Sequence, residues 1–225
     1  MPDRIAPSDL YLQLHEVARV DTPPANADLA RALSSGLRLV VLTMHRRESW
    51  GDPMKSVAAA VREVVDTFAD VVVVCPMHPN PRVRATLTEE LGSHERIVLT
   101  EPLVYRDLVT VLRRAYLILT DSGGIQEEAP TFGVPVLVLR ENTERPEAIA
   151  AGCAQLVGVD PREVLDTASR LLLDDNAYRA MAINGNPYGD GHAAERAVAA
   201  IAELVGVGSR LPDFHVSNVQ SGCEP

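Results

Sequence analysis

A chain of 225 residues with 46% hydrophobic content is long enough for one sizeable core, or for one domain with extensions. Its formal net charge of −10 repels nucleic acid and anionic membrane, which excludes both as partners. Cys75, Cys153 and Cys223 have no metal-ligand spacing, the N-terminus lacks a basic segment followed by an apolar one, and the run Leu37–Met44 is too short to cross a bilayer. These features read as a soluble, reduced, cytoplasmic chain.

Residues 1–36 read as an N-terminal arm with short helices. Asp9–Arg19 suits one helix, broken by Asp21-Thr22-Pro23-Pro24. Asn26 or Asp28 caps a second through Ser34, with Gly36 closing it. From residue 37 an alternation begins. Apolar runs at Leu37–Thr43, Val71–Cys75, Ile97–Thr100, Tyr116–Thr120, Val134–Leu139 and Ala154–Val159 are rich in Val, Ile and Leu. They do not alternate with polar residues, which is the mark of parallel strands buried on both faces. Helical stretches lie between them at Pro53–Ala69, Pro81–Leu91, Tyr105–Arg114, Ile125–Phe132 and Arg145–Ala151, several opening at Pro or an acidic residue. The repetition predicts an α/β fold, a Rossmann-like doubly wound parallel sheet, over residues 37–207. Helices at Pro161–Leu173, Asn176–Ala182 and Gly191–Val205 complete it. Residues 208–225 have no period and read as a flexible tail.

The run Thr120-Asp121-Ser122-Gly123-Gly124-Ile125-Gln126-Glu127-Glu128 joins a strand to a helix expected to start at Ile125. Its two glycines admit close approach of a ligand and positive φ. The N–H groups of the first helical turn favour an anion. Ser122 either caps the helix or donates to a phosphate, and Glu128, one turn past Gly124, is placed to accept from ribose hydroxyls. The same run also reads as a plain capped turn whose acids suit the helix dipole.

Three further polar loops follow strands. Thr43–Ser49 brings His45, Arg46, Arg47 and Glu48 together. Arg suits bidentate contact with phosphate or carboxylate, and His45 can donate or act as an acid. Cys75–Pro81 presents His78 on a proline-stiffened loop. Arg140–Glu147 places Arg145 before Pro146, or else forms a surface ion-pair cluster of small energetic worth. Asn186–Gly191 is a tight turn before the last helix. Four of these motifs fall at the carboxyl ends of predicted parallel strands, the edge where open α/β sheets bind ligands.

The segments HRRES (45–49), HPNP (78–81), LTDSGGIQEEAPTFGVPVLVLRENTERPEAIAAG (119–152) and NPYGDG (186–191) resemble the non-hydrolysing UDP-N-acetylglucosamine 2-epimerases over roughly residues 38–203. The resemblance implies the C-terminal, nucleotide-binding half of a GT-B architecture, with the active site in a cleft between two Rossmann-like domains. It implies that Ser122, Gly123 and Gly124 hold a diphosphate, Glu128 the ribose hydroxyls, and that Arg145 lines the UDP and sugar site. His45 would assist departure and return of UDP, while Arg46 and His78 match positions that bind a second, regulatory UDP-GlcNAc. The implied reaction converts UDP-GlcNAc to UDP-ManNAc by eliminating UDP and adding it back, with no cofactor and no metal. The implied partners are UDP and UDP-N-acetylhexosamine, with a separate N-terminal domain or self-association through the cleft face. Three features depart from the pattern. The segment that links the family's N-terminal domain to this half is not recognisable in residues 1–36, Met44 replaces a small residue, and Leu108 stands where relatives often carry an aromatic near the uracil. The expectation is a UDP-binding half with little epimerase activity alone, or a catalytically incomplete binding module that pairs with a separately encoded half. A GT-B glycosyltransferase fragment fits the loop motifs less well.

Overall fold

The computed structural model describes residue 24, residues 26–182 and residues 186–215. The helix expected over Asp9–Arg19 and residues 216–225 of the tail lie outside them. The first described element is α1 (Ala27–Ser34), capped by the Asn26 side chain, which accepts from Leu29 N–H at 2.9 Å. Gly36, at φ 74°, turns the chain into the sheet.

Six strands follow: β1 (Arg38–Thr43), β2 (Val71–Pro76), β3 (Ile97–Thr100), β4 (Ala115–Thr120), β5 (Val136–Val138) and β6 (Ala154–Leu156). The helices between them are α2 (Asp52–Thr67), α3 (Pro81–Leu91), α4 (Tyr105–Arg114), α5 (Gly123–Glu128) and α6 (Pro146–Ala150). The chain then continues through α7 (Pro161–Leu173), α8 (Asp175–Met181) and α9 (Ala193–Leu204). All strand pairings are parallel, in the order β3-β2-β1-β4-β5-β6. The direction of winding reverses between β1 and β4, so the crevice at their carboxyl ends is the topological switch point of a doubly wound sheet.

Strand residues alternate between two cores. Val40, Leu42, Val73 and Leu117 face one layer with α2 and α7, while Leu39, Val41, Val72 and Ile118 face the other with α1 and α4. Both faces are covered, which is why the strands read as unbroken apolar runs.

Several boundaries differ from the expected ones. β5 starts at Val136 rather than Val134 because Pro135 has no N–H to donate to the ladder, and it ends at Val138, one residue before the expected Leu139. β6 stops at Leu156, and Gly158, at φ 62°, turns the chain away. The helix expected over Ile125–Phe132 starts two residues earlier, at Gly123. It tightens to a 3-10 turn over Ala129–Phe132, where Pro130 cannot continue an α-helix, and Gly133 closes it at φ 66°. Another 3-10 turn, Arg47–Ser49, forms inside the loop after β1. Among the described residues no helix is long and apolar enough to cross a membrane.

Candidate functional site

The loops after β1 and β4 leave the sheet side by side at the switch point. Thr43 pairs with Thr120 in the ladder, their hydroxyl oxygens 2.5 Å apart. Asp121, the next residue, is fully buried, and its N–H donates to the Thr43 carbonyl at 3.2 Å. Its carboxylate accepts from the backbone N–H of His45 with both oxygens, at 2.9 and 3.1 Å, and from that of Arg46 at 2.9 Å. One oxygen also lies 3.2 Å from His45 Nδ1. A buried carboxylate is tolerated only when its oxygens are hydrogen-bonded, and these donors supply that requirement. The Trp50 indole N–H donates to the His45 carbonyl at 3.2 Å and steadies the same loop.

His45 therefore sits on a rigid support with its side chain about a third exposed (34%). The His78 ring stacks on it at 5.7 Å between centroids and 18° between planes. His78 is itself held by its Nδ1, which accepts from Asn80 N–H at 3.1 Å. Both imidazoles, with Met44, Leu108 and Ser122, line a cleft of about 210 Å³ above the strand ends. Met44 is buried in the core beneath it.

The expected glycine geometry is corrected. Neither Gly123 nor Gly124 has positive φ, and both belong to the first turn of α5. A Cβ on Gly123 would approach only Arg46 Nη2, at 3.6 Å, and one on Gly124 only Ser122 Oγ, at 3.9 Å. The protein itself leaves room for alanine at both positions, so the missing side chains open the mouth of α5 outward. The Ser122 hydroxyl makes no capping bond, while its carbonyl accepts from Gln126 N–H and Nε2 at 3.3 and 3.1 Å. Arg46 thus lies against the Ser122-Gly123-Gly124 turn, and its Nε is buried without a hydrogen-bond partner.

On the other flank Glu128 is half-buried, and its Oε2 also lacks a partner. Burial, and then the charge of Glu127, push its carboxyl up to about 7. Burial, followed by the charge of Glu128, raises the Tyr105 phenol to about 12. Arg145 does not line the His45 cleft. Its Nε pairs with Glu127, its Nη1 donates to the Glu144 carbonyl at 3.0 Å, and its backbone N–H donates to Thr143 Oγ1 at 3.0 Å.

Three positions carry structure that the motif reading did not single out. Besides Asp121, the buried Gln126 accepts from Thr143 Oγ1 at 2.7 Å and so ties the loop after β5 to α5. Buried Asn186 donates to the Glu127 carbonyl and to Thr131 Oγ1, both at 2.8 Å. This makes the 186–191 turn a brace behind the site rather than a turn alone. Each of the three is a polar residue in or beside a polar loop, and only its burial in the folded chain sets it apart. Arg140 bridges the loops after β1 and β5, pairing with Glu48 at 3.1 Å and Glu144 at 2.8 Å. Among the described residues no group of three His, Cys, Asp or Glu is placed to hold a metal ion.

Comparison with known proteins agrees with this geometry. The family profile described as UDP-N-acetylglucosamine 2-epimerase matches residues 9–202, reaching further upstream than the four motifs. The UDP-N-acetylglucosamine 2-epimerase of Bacillus subtilis (strain 168) is 44% identical over 176 residues, covering 78% of this chain and 46% of the relative. S. aureus MnaA, solved as a UDP co-structure, superposes with a TM-score of 0.78 at 42% identity, covering 87% of this chain and 53% of that one. The Neisseria meningitidis UDP-GlcNAc 2-epimerase bound to UDP-GlcNAc gives the same TM-score of 0.78 at 34% identity, over 87% of this chain and 53% of that one. The chain spans about half the length of the curated relatives it matches. A profile match across most of the 225 residues, with its motif loops gathered at one switch point, places the chain in the UDP-N-acetylglucosamine 2-epimerase family.

Proposed function

We propose that the chain supplies the UDP-binding half of a UDP-GlcNAc 2-epimerase, an isomerase that interconverts UDP-GlcNAc and UDP-ManNAc by eliminating UDP and adding it back. The observation that carries this reading is the joining of the His45 loop to the Ser122-Gly123-Gly124 turn through buried Asp121. A diphosphate seated there meets the first-turn N–H groups of α5, the Ser122 hydroxyl and the imidazole of His45. Helix N-termini and oriented donors favour negative charge at that point. His45 then serves the departing and returning diphosphate as proton donor and acceptor. The unpartnered Glu128 Oε2 supports an acceptor for ribose hydroxyls, since a buried acceptor left alone is costly until a ligand satisfies it. Arg145 borders the nucleotide from the α6 side. In this reading Arg46 and His78, which lie beside Gly123 and His45, contact a second, regulatory UDP-GlcNAc.

The titratable groups lining the cleft are His45 and His78. Proton transfer at C2 needs a group placed on the sugar, and in this reading carboxylates of a second, N-terminal half provide it across the cleft. The compartment is cytoplasmic, in keeping with free thiols at buried Cys75 and Cys153. Isothermal calorimetry of the 225-residue chain with UDP, paired with an epimerisation assay on UDP-GlcNAc, tests the proposal. Saturable one-site UDP binding with negligible conversion is expected. Absence of UDP binding, or sustained conversion by this chain alone, would overturn it.

A further inference from the structure

We infer that Asp121 is the positioning residue for His45, fixing the imidazole as the tautomer with its proton on Nδ1 and leaving Nε2 unprotonated toward the cleft. Asp121 has no exposed surface. Both of its oxygens already accept from backbone N–H groups of the loop after β1. The Nδ1 atom lies 3.2 Å from Oδ1, close enough for the negative charge of the buried carboxylate to favour hydrogen on Nδ1 over a lone pair, although the pair is not aligned as a hydrogen bond. The ring has little freedom to escape this arrangement. Its own backbone N–H is bound to the same carboxylate, its carbonyl accepts from Trp50, and one face is stacked on His78. A neutral imidazole prefers the other tautomer in water by a small margin, so a single well-placed carboxylate is enough to reverse it. The consequence is that Nε2 is ready to take a proton and, once protonated, to donate it to a diphosphate oxygen. What Nε2 does there rests on the function proposed above, whereas the tautomer itself does not.

The test uses the full 225-residue chain labelled with 15N-histidine, without ligand, at a pH above which the His45 ring shifts no longer change. Long-range 1H–15N correlation distinguishes the two tautomers, and the His45→Gln variant identifies the His45 signals by their loss. The expected result is a protonated Nδ1 and an unprotonated Nε2 in the wild type. In Asp121→Asn, folded as judged by a dispersed amide spectrum, the Nε2-protonated form is expected to become at least equally populated. An Nε2-protonated His45 in the wild type overturns the inference, as does an unchanged pattern in the folded variant. If Asp121→Asn does not fold, the wild-type pattern alone decides between the two tautomers. Because UDP is absent, failure of nucleotide binding and failure of this inference remain separate results.

Discussion

Glu128 carries two opposed requirements in one side chain. Its burial and the neighbouring Glu127 raise the carboxyl from 4.5 to about 7. Between those values the folded chain binds more protons than the unfolded one, so stability falls as pH rises through that window. The loss is fully developed above about pH 7 and amounts to on the order of 1–3 kcal/mol. Glu128→Gln is therefore expected to raise Tm at pH 8 and to leave it unchanged near pH 4, read by thermal scans at both. On the proposed reading the same change removes a charged acceptor for ribose, a contact worth roughly 1.5–3 kcal/mol, so UDP-GlcNAc affinity at pH 8 is expected to fall about tenfold or more by calorimetry. An unaltered affinity would remove Glu128 from the ribose site. Spacing within a helix was enough to put Glu128 on the face of Gly124. Its unpartnered oxygen was not legible, because that depends on the packing of α4 against the same edge and on Glu127 turning to Arg145.

α5 is six residues long and opens on two glycines, the poorest residues short of proline for a helix. Nothing in the chain requires glycine at position 124, where the nearest atom to an added Cβ is Ser122 Oγ at 3.9 Å. Gly124→Ala is expected to leave Tm equal or higher, by up to about 1 kcal/mol in stability. On the proposed reading UDP affinity is expected to drop at least tenfold, because the Cβ would occupy the approach of the diphosphate. Loss of stability with UDP binding intact would show that the glycine serves the fold instead. At this scale every described strand and α-helix between residues 26 and 204 was legible in the sequence, with errors at the ends, while the 3-10 turn Arg47–Ser49 was not. The errors at β5 and around Ala129–Phe132 sit at Pro135 and Pro130, and the early start of α5 reflects helical glycines rather than turn glycines. The ion-pair cluster at Arg140–Glu147 proved to be more than surface decoration in one respect. Arg140, with its side chain 12% exposed, links the loop after β5 to the loop after β1 through Glu48.

Across the whole molecule stability is unevenly distributed. The central strands are buried on both faces, whereas α9 buries no residue and exposes Val198, Ile201 and Leu204. It is tethered at its start by Arg196, which pairs with both oxygens of Asp190 at 2.7 Å and donates to the Pro212 carbonyl at 2.9 Å. With so little buried surface, α9 is expected to open locally. Hydrogen-exchange protection of its amides should be at least tenfold below that of β1 and β4, and equal protection would show that α9 is covered in solution. The sequence by itself determined the parallel α/β layering, because strands covered on both faces must be apolar at consecutive positions and helices between them must be amphipathic. It also marked the loops that bear the site, since polar residues crowded after apolar runs fall at one sheet edge. Only the tertiary structure decided how those loops act together. Asp121 and His45 stand 76 positions apart in the chain. Their contact, like the stacking of His78 on His45, arises from the pairing of β1 with β4 and β2, a long-range register that no local pattern of residues encodes.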